Sequence, residues 1–187
     1  MLNFRRQIET ASLNKVALSF AGLMAFSLWA FRDGGPWLSA IEAGGGLLPE
    51  MQPGYPPVEP LRTLLAFDGA VGDYLVWQMF DIPYIVLNVL FAASAIALGL
   101  ARFGWGSGLA RYLLALPVIY AVMEMIENTL LSLFAIGTLA PSEPVVLAQQ
   151  TATTIKLTSG TVSFLLGVIS IVAVIISMIA SRMKKSS

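Results

Sequence analysis

The chain has 187 residues, of which 57% are hydrophobic and 12% are charged, and its formal net charge is zero. Soluble domains carry about a quarter charged residues, so this composition indicates a single membrane domain, and the zero net charge excludes a global basic field that would attract nucleic acid. The sequence contains no cysteine and no histidine, which excludes disulfides, thiolate nucleophiles and thiolate or imidazole metal ligands. A standard di-iron site is excluded because Glu-x-x-His is absent, and nothing fixes the geometry that carboxylates would need to hold a hard cation, so we expect no metal and no cofactor.

Four apolar runs are long enough to cross the hydrocarbon core, which takes about 20 helical residues. They predict helices at about 15–31, 81–101, 111–137 and 145–181. The first run is short enough to be a signal peptide, but Leu28 stands where cleavage needs a small residue, which favours an uncleaved helix. Short connections make the last three helices antiparallel neighbours. The expected fold is all-α, an integral membrane four-helix bundle in one domain, 1–187.

Residues 32–80 form the long connection, and we predict that they make a first extracytoplasmic loop. The loop contains a glycine triplet at Gly44–Gly46 and a proline-rich stretch from Pro49 to Pro60. Two short helices are expected within it: Leu61–Phe67 after a proline, and the aromatic segment Asp73–Phe80, which suits the membrane interface. The loop either simply covers the bundle, or it caps a pocket or forms a docking surface.

The basic residues indicate the orientation, because cytoplasmic segments of membrane proteins are enriched in lysine and arginine. Eight of the eleven basic residues fall on the side of the two termini. They are Arg5, Arg6, Lys15, Arg102, Arg111, Arg182, Lys184 and Lys185. The other side holds Arg32 and Arg62 against seven acids. Both termini are therefore predicted to be cytoplasmic, in a multi-pass protein of the inner (plasma) membrane.

Polar residues recur at helical spacing on the inner faces of three predicted helices. Ionisable residues in membrane helices face the bundle interior or water. On the second helix the polar face consists of Asp81, Tyr84 and Asn88. On the third helix it consists of Tyr120, Glu124, Glu127 and Asn128. On the fourth helix a stripe of small or polar residues, which permit close approach, consists of Gln149, Thr153, Lys156, Gly160, Ser163, Gly167 and Ser170.

The hairpin connections predict that these three faces lie at one level. Glu127 and Lys156 are about equally far from the turn at Pro141, so we predict an ion pair between them. The same reasoning, applied to the turn between the second and third helices, places the polar residues of those helices side by side. The expected level is the outer half of the membrane.

Each polar residue also has a structural interpretation. Asp81 could cap the second helix, with Pro83 in its first turn. The pair of Lys156 and Glu127 could fix the register of two helices, and Asn88 and Asn128 could form interhelical hydrogen bonds.

Three carboxylates facing one lysine nevertheless give a formal charge of minus two. Such a site must keep carboxyls protonated, hold water or bind a cation. The candidate ligand-binding residues are Asp81, Tyr84, Asn88, Tyr120, Glu124, Glu127, Asn128, Thr153 and Lys156; no catalytic residue is assigned.

Four sequence features occur together in this order. The first is the GYPPVE stretch Gly54–Glu59, and the second is the pair Tyr74 and Asp81. The third is the acid-x-x-Glu-Asn motif Glu124–Asn128, and the fourth is the Thr-x-x-Lys motif Thr153–Lys156. Through them the chain, from about Pro53 to Leu166, resembles a widespread group of small bacterial four-helix membrane proteins of unknown function. The resemblance implies a four-helix membrane fold and brings no established activity.

Three functions remain open, and whether the chain is an enzyme is undecided. The first is a site for a small amphipathic or lipid-like ligand in the bilayer, with Glu124 or Glu127 as a possible proton carrier. The second is a non-catalytic subunit or scaffold that contacts membrane protein partners. The third is a proton- or cation-linked transporter, which is disfavoured because no inverted repeat is evident. For the first, we expect entry from outside the cytoplasm or laterally, beneath Tyr55, Tyr74 and Trp77.

Overall fold

The computed structural model describes residues 4–43, 71–104 and 107–186. Most of these residues are helical, short turns connect the helices, and no strand occurs among them. The helices are α1 Phe4–Glu9, α2 Leu13–Ala30, α3 Pro36–Ala43, α4 Val71–Phe103, α5 Ser107–Ala135 and α6 Glu143–Ser186. Helices α2, α4, α5 and α6 each contain a stretch long and apolar enough to cross a membrane. For the described residues, the predicted all-helical fold with four candidate membrane spans is therefore confirmed.

Helix α4 begins at Val71, well before the predicted start of the second span near residue 81. The segment Asp73–Phe80 is helical, as expected, but it continues without a break into the span. Asp81 consequently lies inside the helix, and the interpretation of Asp81 as a helix cap is wrong. Its side chain accepts a hydrogen bond from another helix instead.

The region predicted as one loop, 32–80, thus includes α3 and the first turns of α4. Helix α3 was not predicted, although Pro36 occupies its first position, where proline is favoured. The expected helix Leu61–Phe67, the glycine triplet and Tyr55 lie outside the described residues.

A tight turn joins α5 to α6 and makes them antiparallel. Gly137 adopts a positive φ of 70°, the left-handed conformation in which many helices end. The backbone N–H of Thr138 then donates to the carbonyl of Leu133 at 3.0 Å. This turn places the first half of α6 beside the second half of α5.

Helix α4 contacts every other described helix. It runs antiparallel to α2 and α5 but parallel to α6, since Phe91 stacks near Phe164, with ring centroids 5.7 Å apart, and Gly99 packs on Ser170. We call the end where α4 and α6 begin the distal end, and the end where α6 finishes the terminal end.

In the terminal half, α4 and α6 approach closely through small residues. A Cβ placed on Gly99 would lie 2.6 Å from Ser170 Oγ, and one on Gly167 would lie 3.3 Å from the Cβ of Ala95. Small residues permit such approach between membrane helices. The predicted inward-facing stripe of α6 is confirmed by this packing and by the burial of Ser163.

In the distal half, α2 packs on α4 but makes at most marginal contact with α6. Aromatic side chains form the α2–α4 contact: Trp29 meets Phe80 edge-on, with centroids 4.9 Å apart, and Phe26 meets Tyr84 at 6.2 Å. Because α2 packs against α4 and not against α6, a gap remains between α2 and α6.

Candidate functional site

A buried lysine with two carboxylates forms the centre of the polar cluster. Lys156 Nζ on α6 lies 2.6 Å from Glu124 Oε1 on α5, and it also forms an ion pair with Glu127. Glu127 is fully buried, and Lys156 and Glu124 nearly so. The predicted Glu127–Lys156 pair is confirmed. The pairing with Glu124 was not predicted; it follows from the three-residue spacing that turns both carboxyls toward α6.

Glu127 is held from the distal side by a short hydrogen-bonded chain. The hydroxyl of Thr153 donates to Glu127 Oε1. The amide Nε2 of Gln149 reaches Thr153 Oγ1 at 2.9 Å and Glu127 Oε1 at 3.3 Å. Gln149 was placed on the inward stripe but not among the candidate site residues. Its spacing of four residues from Thr153 was the signal that could have added it.

Asp81 joins the same cluster from α4. Its Oδ2 accepts a hydrogen bond of 2.7 Å from Asn128 Nδ2, which confirms the expected interhelical role of Asn128. The carboxyl of Asp81 also lies within interaction distance of Glu124, and so does the hydroxyl of Tyr120. Asp81, Tyr120 and Lys156, from three different helices, therefore all interact with Glu124.

Asn88 has a different partner from the expected one, whereas Tyr120 lies on the inward face of α5 as expected. Asn88 does not reach across to α5: its Nδ2 donates to the carbonyl of Tyr84 on its own helix, at 3.2 Å. The ring of Tyr120 packs on Gly160, where an added Cβ would lie 2.9 Å from Tyr120 Cδ2. Gly160 therefore gives the tyrosine ring room beside α6.

A cavity of about 670 Å³ lies beside this cluster, bordered by α2, α4, α5 and α6, with α3 at its distal end. Six of the nine candidate residues line it: Asp81, Tyr84, Asn88, Tyr120, Glu124 and Lys156. The other three, Glu127, Asn128 and Thr153, lie behind this wall and hold its charged groups in place. The cluster thus has a cavity face and a supporting layer.

The rest of the cavity wall is aromatic and aliphatic. At the distal end, Phe31 approaches Trp37, Trp77 and Tyr84, with centroid distances of 5.1, 6.3 and 6.0 Å. Trp37 was not among the sequence candidates, because α3 was not predicted. Trp77 lines the cavity, whereas Tyr74 is fully buried in the adjoining apolar core.

The cavity opens sideways between α2 and α6. Met24 on α2 and Phe31, directly after α2, line it and are exposed, as are Leu157, Thr161 and Leu165 on α6. These residues belong to, or directly follow, helices that are apolar enough to lie in a membrane. The opening is therefore bordered by side chains suited to contact with lipid.

The arrangement combines a lateral apolar opening, a distal aromatic layer and a buried wall of ionisable groups. Comparison with known proteins adds nothing to this geometry: no protein-family model, no curated protein and no solved structure matches the chain.

Proposed function

We propose that this chain is a multi-pass membrane protein that binds a small amphipathic or lipid-like molecule in the cavity between α2 and α6. One observation supports the proposal above all: a single cavity of about 670 Å³ connects exposed apolar side chains with buried Asp81, Glu124 and Lys156. Binding sites for small molecules are concave and mostly apolar, with a few polar groups that fix the ligand's orientation.

The two ends of the cavity suggest how such a ligand is oriented. Its polar head lies against the ionisable wall on α4, α5 and α6, where Asn88 and Tyr120 add hydrogen-bonding groups. Its apolar part extends past Leu157 and Leu165 into the gap beside α2. A buried polar group needs hydrogen-bonding partners, and this orientation supplies them without drawing the apolar part away from the lipid.

We also propose that the termini are cytoplasmic and that the cavity lies in the outer half of the bilayer. Arg102, Arg182 and Lys184 lie at the terminal end of the bundle, while Asp33 and Glu143 lie at the distal end. Lysine and arginine concentrate on the cytoplasmic side of membrane proteins. The ligand then enters from the outer leaflet.

Photo-crosslinking with an uncharged lipid tests the proposal. A diacylglycerol with a diazirine in one acyl chain is incorporated with the protein into liposomes, irradiated, and its attachment sites are mapped by mass spectrometry. We expect enrichment at the cavity opening, around Met24 and Leu157–Leu165, relative to the exposed side chains Leu18 and Leu28 of α2, which lie outside this cavity.

Two threonines on α6 provide a matched pair of variants. Thr161 and Thr158 are both exposed, but only Thr161 lines the cavity. Thr161→Phe places a ring in the opening and should reduce the cross-linking at the opening several-fold, whereas Thr158→Phe should leave it unchanged. Uniform labelling of all lipid-facing surfaces, or equal effects of the two substitutions, would rule out a ligand cavity here.

A further inference from the structure

We infer that the head group of the bound molecule is a cation: the cavity is built for a membrane-borne amine or quaternary ammonium. This inference rests on the proposed function and specifies its ligand class. It follows from two separate features of the wall, the balance of charge and the placement of aromatic rings.

The charge balance on the cavity wall is negative. Lys156 is the one basic side chain lining the cavity among the described residues, and it is shared between Glu124 and Glu127. With Asp81, three carboxyls share this one lysine, and Asp81, whose Oδ2 accepts from the neutral amide of Asn128, faces the cavity. Buried charges are costly unless they are paired, and a bound cation would supply the missing partner.

The aromatic rings lie where they would contact the same head group. Tyr84 lines the cavity one helical turn from Asp81 on α4. At the distal end of the cavity, the ring of Phe31 lies next to the rings of Tyr84, Trp37 and Trp77, which also line it. A cation placed against ring faces is attracted by their quadrupoles, most strongly to tryptophan, and cages of such rings bind quaternary ammonium groups. Carboxylates beside aromatic rings favour an organic cation.

A metal ion fits the same wall less well. Hard cations require six to eight oxygen ligands for calcium, or a full octahedron for magnesium. One oxygen of Asp81 already accepts from Asn128, and one oxygen of Glu124 already faces Lys156 Nζ. The aliphatic opening toward lipid, at Leu157 and Leu165, also suits an amphipathic molecule better than a hydrated ion.

The test compares three competitors that share a dodecyl chain and differ in their heads. The purified protein in dodecyl maltoside, whose micelles carry no charge and no ammonium group, is cross-linked with the neutral photoprobe described above. Dodecyltrimethylammonium, dodecyldimethylamine oxide at neutral pH and dodecanesulfonate are titrated against the signal at Leu157–Leu165. We expect the cation to compete at about tenfold lower concentration than the other two, the size of effect that cation–π contact supports.

Two sets of variants locate this preference. Asp81→Asn with Glu124→Gln should abolish the advantage of the cation while leaving competition by the neutral amine oxide. Trp37→Leu should weaken the cation's advantage several-fold, and Trp29→Leu is its control, since Trp29 packs on Phe26 and Phe80 away from the cavity. The Trp37 variant and the wild-type titration remain decisive if the double carboxyl variant does not fold.

The outcomes separate this inference from the proposed function. If all three competitors act equally at the opening, or the sulfonate acts best, the cation class is wrong and the amphipathic site stands. If Trp29→Leu and Trp37→Leu weaken the cation's advantage equally, the aromatic contact is wrong. If no competitor displaces the probe, the proposed function itself fails.

Discussion

The two halves of the bundle use small residues in opposite ways. In the terminal half, Gly99 and Gly167 bring α4 and α6 together, and the cavity lined by Gly99 and Ser170 measures only about 70 Å³. In the distal half, Gly160 leaves room for the ring of Tyr120, and the neighbouring cavity measures about 670 Å³. The same residue type thus closes one interface and widens another.

The charged groups explain why the halves differ. The terminal parts of α4 and α6, 91–100 and 164–180, contain no charged residue, so close contact between them needs only van der Waals packing. The distal parts contain Asp81 and Lys156, which must reach partners on α5. Long polar side chains require space between helices, and that space continues into the cavity.

The largest effect should come from breaking the buried ion pair. Lys156→Met leaves Glu124 and Glu127 without their cation, and removal of one partner of a buried pair costs about 3–5 kcal/mol. The free energy of unfolding, followed by tryptophan fluorescence in detergent, should fall by an amount in that range.

A second variant distinguishes stranded charge from lost packing. Lys156→Met combined with Glu127→Gln removes one carboxylate as well, so the combined variant should be more stable than Lys156→Met alone. Equal stabilities would mean that the carboxylates do not depend on Lys156 for their stabilisation.

The closely packed terminal half should respond next. Gly99→Leu forces a side chain against Ser170 Oγ and Cβ, which an added Cβ would already approach to 2.6 and 2.8 Å. Overpacking of this kind costs about 1–3 kcal/mol. Gly72→Leu is the control, because nothing lies within 4 Å of a Cβ at that position. A similar loss in both variants, measured by thermal unfolding, would show that the α4–α6 contact is looser than described.

The smallest effect is expected at the exposed terminal edge. Arg102 Nη2 donates to Ser177 Oγ at 2.9 Å, linking α4 to α6 outside the core. Surface substitutions usually change stability by no more than about 0.5 kcal/mol. Arg102→Ala should therefore leave the thermal midpoint almost unchanged. A loss comparable to that of Gly99→Leu would mean that this link, rather than the small residues, holds the terminal half together.

The spans and the ion pair could be predicted because each depends on local spacing. Apolar length reveals a membrane helix, and the short turn at Gly137 sets Glu127 opposite Lys156. The partner of Asn88 could not be predicted in this way, because its amide donates a hydrogen bond to the backbone carbonyl of Tyr84, one turn away on the same helix. The spacing of residues along a helix predicts which face a side chain occupies, but it does not predict which of several nearby groups becomes its hydrogen-bond partner.

The start of α4 and the helix α3 were missed for a related reason. Asp81 followed by a proline at Pro83 is typical of a helix start, yet the helix continues through Pro83 because contacts of Trp77 and Tyr74 with the distal core hold its first turns. The aromatic rings of Phe31, Trp37 and Trp77 at the distal end of the cavity come together only because α3 and the first turns of α4 form. Tertiary contacts, and not local sequence, determine that both of these segments are helical.

Access to the cavity is the most direct test of the whole account. The chain contains no cysteine, so Asn88→Cys in the cavity wall can be compared with Ala95→Cys, at a position that is fully buried against Gly167. Both variants are treated with N-ethylmaleimide in membrane vesicles, with an impermeant maleimide applied to each face in turn, and total thiol is measured after denaturation. We predict that Asn88→Cys reacts and Ala95→Cys does not, and that any impermeant labelling comes from the non-cytoplasmic face. An Asn88→Cys thiol as unreactive as that of Ala95→Cys, or one labelled only from the cytoplasmic face, would contradict an open distal cavity and leave a closed structural cluster in its place.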